Sequence, residues 1–171
     1  MASQTSTTTV IDKELFIKMV ISNWELQNTR FNKLLDKLTD EQLASPTAPG
    51  RNSGTWILGH LIAVNDGMIP LLGFGDKLFP DLEVHFTGEK ERAGTPAPAL
   101  ETLKSNWHTL NARLAAYFTE LPADEWFTRH NSISPEDFAK EPHRNKLNIL
   151  INRTNHEAYH LGQLIYLDQK H

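Results

Sequence analysis

The stretch that decides the fold is NHEAYHLGQL, residues 155–164. Within it, His156 and His160 stand four positions apart, so on a helix both rings lie on one face. A pair with this spacing can bind one metal ion. The same letters also form the H-E-x-x-H pattern of zinc peptidases, so the stretch has two competing interpretations.

The peptidase interpretation fails on the residues that follow the pair. A zinc peptidase needs a third protein ligand beside its H-E-x-x-H helix. The metzincin pattern requires a histidine at the position of Tyr166, and the other common pattern requires a downstream glutamate, which residues 161–171 do not contain. A third ligand is therefore expected upstream of residue 155.

His60 is the best upstream candidate. It lies in NSGTWILGHLIAV, residues 52–64, in helical register with the apolar residues Trp56, Ile57 and Val64. A single histidine on an apolar face is usually a hydrogen-bonded core residue. Three core-facing histidines on two helices, with no sign of buried acidic partners, favour a three-histidine metal site instead.

Helical periodicity recurs in four segments, while strand signals are scarce. The predicted helices cover residues 11–38, 53–72, 95–122 and 146–168. The third is expected to begin at Thr95, with Pro96 in the first helical position. The connections 73–94 and 122–145 are longer than antiparallel neighbours need. The pattern predicts an all-α four-helix bundle with long crossover connections.

Length and composition are those of one ordinary soluble domain. The chain has 171 residues, of which 39% are hydrophobic and 22% charged. We expect a disordered tail over residues 1–10 and a single domain over residues 11–171. The net charge of −4 gives no reason to expect nucleic acid, and the absence of cysteine excludes thiolate ligands and disulfides.

Targeting features are also missing from the sequence. Residues 1–10, MASQTSTTTV, lack the basic and apolar regions of a signal peptide. The longest apolar run, residues 56–74, contains His60, Asn65, Asp66 and Pro70, which argues against a membrane span. A cytoplasmic location is expected.

Two pieces in this order, NSGTWILGHLIAV (residues 52–64) and NHEAYHLGQLIYL (residues 155–167), resemble the DinB-like superfamily of small metal-binding four-helix bundles. The resemblance covers nearly the whole chain after the N-terminal tail. It implies an up-down-down-up bundle, frequent homodimers, and a divalent metal, zinc or nickel, held by His60, His156 and His160. Characterised members of this superfamily include S-transferases that use low-molecular-weight thiols, as well as isomerases and hydrolases.

The resemblance favours an enzyme with an open three-histidine site and a small-molecule substrate, in particular a metal-dependent thiol S-transferase. If the ion activated water, the protein would be a metal-dependent hydrolase. A fourth protein ligand would instead make it a non-catalytic metal-binding or stress-response bundle. His85, His130 and His143 in the long connections are the candidates for that ligand, and most of them are otherwise expected to face solvent.

Two further polar residues on the last helix are candidates for roles near the metal. Glu157 lies about 100° around the helix from His156. It is a candidate catalytic base, although a surface carboxylate is the favoured interpretation. Gln163 is expected either to hydrogen-bond near the site or to make a polar contact between helices. Trp56 and Tyr159 are expected to pack rather than to contact substrate.

Overall fold

The computed structural model describes residues 12–88 and 98–168, and these ranges contain helices and loops without a strand. The helices are Lys13–Lys37 (α1), Asp40–Ala44 (α2), Gly54–Asp66 (α3), Met68–Leu72 (α4), Leu82–Phe86 (α5), Leu100–Glu120 (α6), Pro135–Lys140 (α7) and Lys146–Leu164 (α8). Short 3-10 helices cover Ala123–Phe127 and Ile165–Leu167. The predicted tail over residues 1–10 lies outside the described residues, and the single domain over residues 11–171 stays a prediction.

The first and last long helices run parallel to each other. Near their N-terminal ends, Phe16 of α1 and Ile151 of α8 line one surface cleft. At the other end, Lys37 of α1 forms an ion pair with Asp168, which follows α8. The two helices pack extensively along this length, and together they form one half of the bundle.

The other two long helices, α3 and α6, run in the opposite direction. Trp24 of α1 contacts Phe118 near the end of α6, whereas Phe31, further along α1, contacts Trp107 nearer its start. The start of α3 lies against Leu167, beyond the end of α8. The order is therefore up-down-down-up, and the predicted all-α bundle with long crossover connections is confirmed.

The predicted helix over residues 53–72 is present, but it is interrupted at Gly67. The helix begins as expected after Ser53, whose side chain accepts a hydrogen bond from the Trp56 amide, but α3 ends at Asp66 and α4 follows after Gly67. The reason is Pro70, which has no N–H to donate to the Asp66 carbonyl and whose ring crowds that carbonyl.

The third long helix begins later than predicted. Its proposed first residues, Thr95 and Pro96, lie outside the described residues, and α6 begins at Leu100 after Ala99. A helix that started at Pro96 would need a helical conformation in the residue before Pro98, which the ring of Pro98 disfavours. The second proline therefore explains the later start.

The segment Gly54–Leu72 is long and apolar enough to cross a membrane by length and composition. However, 67% of it is buried inside the bundle, and the core helix of a soluble protein passes the same test. Its apolar character is therefore accounted for by packing against α5, α6 and α8.

Gly59 permits the closest contact between α3 and α5. A Cβ atom at this position would lie 2.5–2.6 Å from three ring atoms of Phe86, a distance that packed carbon atoms do not reach. The Phe86 ring is itself buried, so it has little room to move. The missing side chain at residue 59 therefore determines where the end of α5 lies relative to α3.

We expect Gly59→Ala to lower the free energy of unfolding by about 1–3 kcal/mol, because overpacking a dense core forces side chains and backbone to shift. Urea denaturation measures this change. The matched control is Gly162→Ala on α8, where no atom lies within 4 Å of the added Cβ. That variant should be neutral or more stable by up to about 1 kcal/mol, because alanine is the better helix former. Equal effects of the two substitutions would contradict the packing argument.

Candidate metal centre

Three histidine side chains from two helices converge on one point. His60 lies on α3, and His156 and His160 lie one turn apart on α8. The Nε2 atom of His156 is 3.3 Å from Nε2 of His60 and 3.0 Å from Nε2 of His160. The structure therefore brings together the three residues that the sequence predicts as metal ligands.

Hydrogen bonds on the opposite side of two rings orient them toward this point. His60 Nδ1 donates to the Phe86 carbonyl at 2.6 Å, and His160 Nδ1 donates to Gln163 Oε1 at 2.7 Å. Because each Nδ1 carries the proton, the facing Nε2 atoms present lone pairs. Trp56 stacks on the His60 ring at 4.9 Å between ring centroids and further restricts its rotation.

A divalent metal ion fits between these nitrogens. A tetrahedral ion with metal–nitrogen distances of about 2.0–2.1 Å holds its ligand nitrogens roughly 3.4 Å apart, close to the two separations in this structure. Without a cation, the lone pairs of His60 and His160 would both face His156 in a half-buried space. Imidazole nitrogens suit zinc, copper, iron and nickel among the divalent ions.

Burial keeps the three rings neutral near pH 7. Desolvation is the main cause in each case, and it lowers the pKa of His156 and of His160 to about 4. It also lowers the pKa of His60, an effect that the hydrogen bond to Phe86 opposes. Neutral imidazole is the form that binds a metal ion, so the folded protein presents these ligands without first removing protons.

No fourth protein ligand joins the cluster from within residues 12–88 and 98–168. His85, His130 and His143 were the candidates, and none of them is part of it. The expectation that most of these residues face solvent is wrong. His85 is half-buried, and His130 is only 6% exposed, with its Nδ1 accepting a hydrogen bond from the amide of Ser132. His143 is exposed, as expected.

A cleft of about 230 Å³ leads from the surface to the histidines. Its walls come from the loop over residues 47–52, from α3 and from α8, and they include His60 and His160. Tyr159, which was expected to pack, is 63% exposed and lines the cleft instead. A larger cleft of about 410 Å³ between α1 and residues 118–126 contains no histidine, so the donor atoms rather than the volume identify the candidate site.

Gln163 connects the centre to the wall of this cleft. Its Oε1 accepts from His160, and its Nε2 donates to the Tyr159 hydroxyl at 3.1 Å. The predicted hydrogen bond near the site is therefore present, and the alternative of a contact between helices is wrong because both partners lie on α8.

Glu157 is buried, so its interpretation as a surface carboxylate is wrong. The residue is 0% exposed, and neither carboxylate oxygen has a hydrogen-bond partner among the described residues. Desolvation raises the pKa of Glu157 to about 8, so the carboxyl group is mostly protonated at pH 7. The expectation that the histidines have no buried acidic neighbour is therefore wrong as well. Its role as a catalytic base stays a prediction.

Arg153 is the site residue that sequence reasoning missed. It lies three positions before His156, hence on the adjacent turn of α8, and it is half-buried. Its positive charge contributes to the lowered pKa of both His60 and His156. Its spacing of three from His156 indicates that both residues lie on one helix face. However, arginine is so often exposed that this spacing alone does not place it in a site.

We expect Gln163→Ala to weaken metal binding by about 10- to 100-fold, because the acceptor that orients His160 is lost. Competition with a chromophoric chelator measures the affinity. Asn152→Ala is the matched control, since Asn152 is an exposed amide on the same helix. A Gln163→Ala affinity equal to that of the control would show that this hydrogen bond does not support the centre.

Glu157 and the histidines should give the metal-free protein a stability maximum near pH 6.5. Between pH 4.5 and about 8 the folded state keeps a proton on Glu157 that the unfolded chain releases, so stability falls as pH rises. Between pH 6.5 and about 4 the unfolded chain protonates His156 and His160 and the folded state does not, so stability falls as pH drops.

Glu157→Gln should therefore abolish most of the loss of stability between pH 6.5 and 8, where a single group changes the free energy of unfolding by at most about 1.4 kcal/mol per pH unit. Urea denaturation in the presence of a chelator measures this pH dependence. Glu120→Gln, an exposed substitution, should keep the wild-type profile. A wild-type profile that is flat above pH 6.5 would contradict a buried, protonated Glu157.

Known proteins share both the sequence pattern and the fold. The family model of the DinB superfamily matches residues 23–164. The crystal structure described as that of "the conserved protein of locus from Enterococcus faecalis" has a TM-score of 0.62 and 16% sequence identity, with 88% of this chain and 93% of that chain covered. At this identity it shows a shared fold alone. No curated protein matches the chain significantly. Since the family match spans most of the sequence and all three histidines, the chain belongs to the DinB superfamily.

Proposed function

We propose that this protein is a metal-dependent S-transferase that uses a low-molecular-weight thiol and a small-molecule acceptor. The observation that carries the proposal is an accessible three-histidine cluster: three Nε2 atoms converge, and a cleft lined by two of the histidines reaches them. No protein side chain of the described ranges occupies a fourth position. A site built only for structure would be closed by such a ligand.

A divalent ion held by His60, His156 and His160 would lower the pKa of a thiol at its open side and so favour the nucleophilic form. The overall transfer joins the thiol sulfur to a carbon of the acceptor, which loses its leaving group, and the thiol proton passes to solvent. We infer zinc or nickel as the ion, because neutral imidazoles suit both.

Residues of the chain orient the histidine rings and line the cleft beside them. Trp56 and Phe86 hold the His60 ring, and Gln163 holds the His160 ring. The Tyr159 hydroxyl accepts from Gln163, so its own proton is available to a molecule in the cleft. Arg51 adds a positive charge at the cleft wall.

We also infer a cytoplasmic location and a homodimer. A cytoplasmic location is consistent with a cysteine-free chain. A homodimer is consistent with the exposed apolar side chains of α1, which include Leu15, Phe16 and Met19. No observation specifically favours a hydrolase, and the accessible cleft disfavours a non-catalytic metal-binding or stress-response bundle.

Metal binding is the first test of the function. We expect protein loaded with zinc or nickel to bind one ion per chain, as measured by elemental analysis after gel filtration, with oxygen or sulfur from a non-protein ligand in the X-ray absorption spectrum. His60→Ala should lower the affinity by at least about 100-fold, since one of three ligands is lost. His143→Ala, an exposed substitution outside the cluster, should leave it unchanged.

Activity is the second test. A panel of small thiols, each paired with chlorodinitrobenzene as the acceptor, should reveal at least one thiol whose conjugation is faster with the loaded wild type than with loaded His60→Ala. Full metal occupancy with a fourth protein ligand in the absorption spectrum would support the non-catalytic alternative. Hydrolysis of an ester panel without thiol conjugation would support the hydrolase.

A further inference from the structure

Arg153 has no partner for its positive charge within the part of the chain that the structure describes. No carboxylate there forms an ion pair with it, and its buried Nε atom has no hydrogen-bond partner. A half-buried guanidinium group normally has several acceptors, because desolvation without a partner is unfavourable. Arg153 is therefore a cation without an anionic partner among the described residues.

The location of Arg153 near the candidate metal centre would place a second positive charge beside it. It lies on the turn of α8 before His156, and its charge acts on both His60 and His156. The three histidines are neutral, so a divalent ion bound by them would keep its full +2 charge next to the guanidinium group. Two cations in a half-buried region repel each other unless an anion lies near both.

The nearest acidic residue on the same helix does not provide that anion. Glu157 follows Arg153 by four positions, a spacing at which an ion pair can form, but no such pair is present. The buried Nδ1 atom of His156, three positions after Arg153, also has no hydrogen-bond partner among the described residues. The Arg153 Nε–H group therefore needs an acceptor from outside the described residues.

We propose that Arg153 forms an anion-binding subsite beside the three histidines, and that the small molecule bound at the metal centre carries a carboxylate group that this subsite binds. This inference rests on the proposed metal site and names the chemical class of its ligand. A carboxylate fits because a guanidinium group offers two parallel N–H donors to it. Arg51, which lines the cleft, is the competing cation, but it is exposed to solvent.

Acetate and imidazole binding to cobalt-loaded protein test this subsite. Acetate is the anionic probe and imidazole the neutral probe, and the visible absorption of cobalt reports the binding of each. We expect Arg153→Gln to weaken acetate binding by about tenfold or more, while imidazole binding changes by less than about twofold. Arg153→Lys should retain part of the acetate affinity because it keeps the charge, and Arg51→Gln should weaken acetate binding less than Arg153→Gln does.

A loss of acetate binding in Arg51→Gln but not in Arg153→Gln would overturn the proposal and assign the anion to the cleft wall. Equal losses of acetate and imidazole binding in Arg153→Gln would also overturn it. Wild-type protein that binds no cobalt would refute the proposed metal site itself, whereas cobalt binding without an effect of Arg153 would refute only the subsite.

A measurement on zinc-loaded wild type avoids any effect of the glutamine substitution on folding. The Arg153 Nε–H resonance is assigned as the one that is absent from the spectrum of Arg153→Lys. We expect it to move on titration with acetate and to stay unchanged on titration with chloride at the same ionic strength. A resonance that does not respond to acetate would contradict the subsite.

Discussion

The antiparallel contact between α3 and α8 is the interaction on which the candidate metal centre depends. Neither helix alone offers three ligands, because α3 contributes His60 and α8 contributes the other two. The contact is held close at the start of α3, where Gly54 leaves room for Leu167 and for the backbone of Leu43. A shift of either helix would separate the three nitrogens. The geometry of the site therefore depends on the stability of this packing.

The end of α5 adds a second constraint from outside the two ligand helices. Gly59 admits the Phe86 ring, and the Phe86 carbonyl then accepts the His60 Nδ1 proton. Metal-binding histidines commonly need such a partner, which fixes the tautomer and the direction of the ring. Here the partner is a backbone carbonyl, so its position depends on packing rather than on the identity of the side chain. The first long connection thus contributes to the centre without providing a ligand.

The features that follow helical periodicity could be predicted from the sequence. His156 and His160 occur at a spacing that places them on one helix face, and His60 lies in an apolar stripe. Helical periodicity alone therefore identifies these three residues as candidates. The partners of these residues could not be found in the same way. Phe86 lies 26 positions from His60 and acts through its backbone, and a sequence pattern carries no information about such a contact.

The differences between prediction and structure occur where the residue type and the helical register point to different places in the fold. Glu157 lies seven positions from both Leu150 and Leu164, which are buried, so its register on α8 is that of a core residue. Similarly, the positions of Pro70 and Pro98 already indicated where helices break or begin. In each case the helical register or the proline backbone predicts the observed structure, whereas the usual preference of the residue type does not.

The unpaired burial of Glu157 and Arg153 lowers the stability of α8, yet it gives the centre a defined electrostatic character. An ionised Glu157 would offset the charge of Arg153 and raise the pKa values of the nearby histidines. Because Glu157 is buried without hydrogen-bond partners, its neutral form is favoured and the guanidinium charge is left uncompensated. The helix therefore presents neutral ligands and one fixed cation on the same side, an arrangement that favours metal binding with an anion and disfavours metal binding without one.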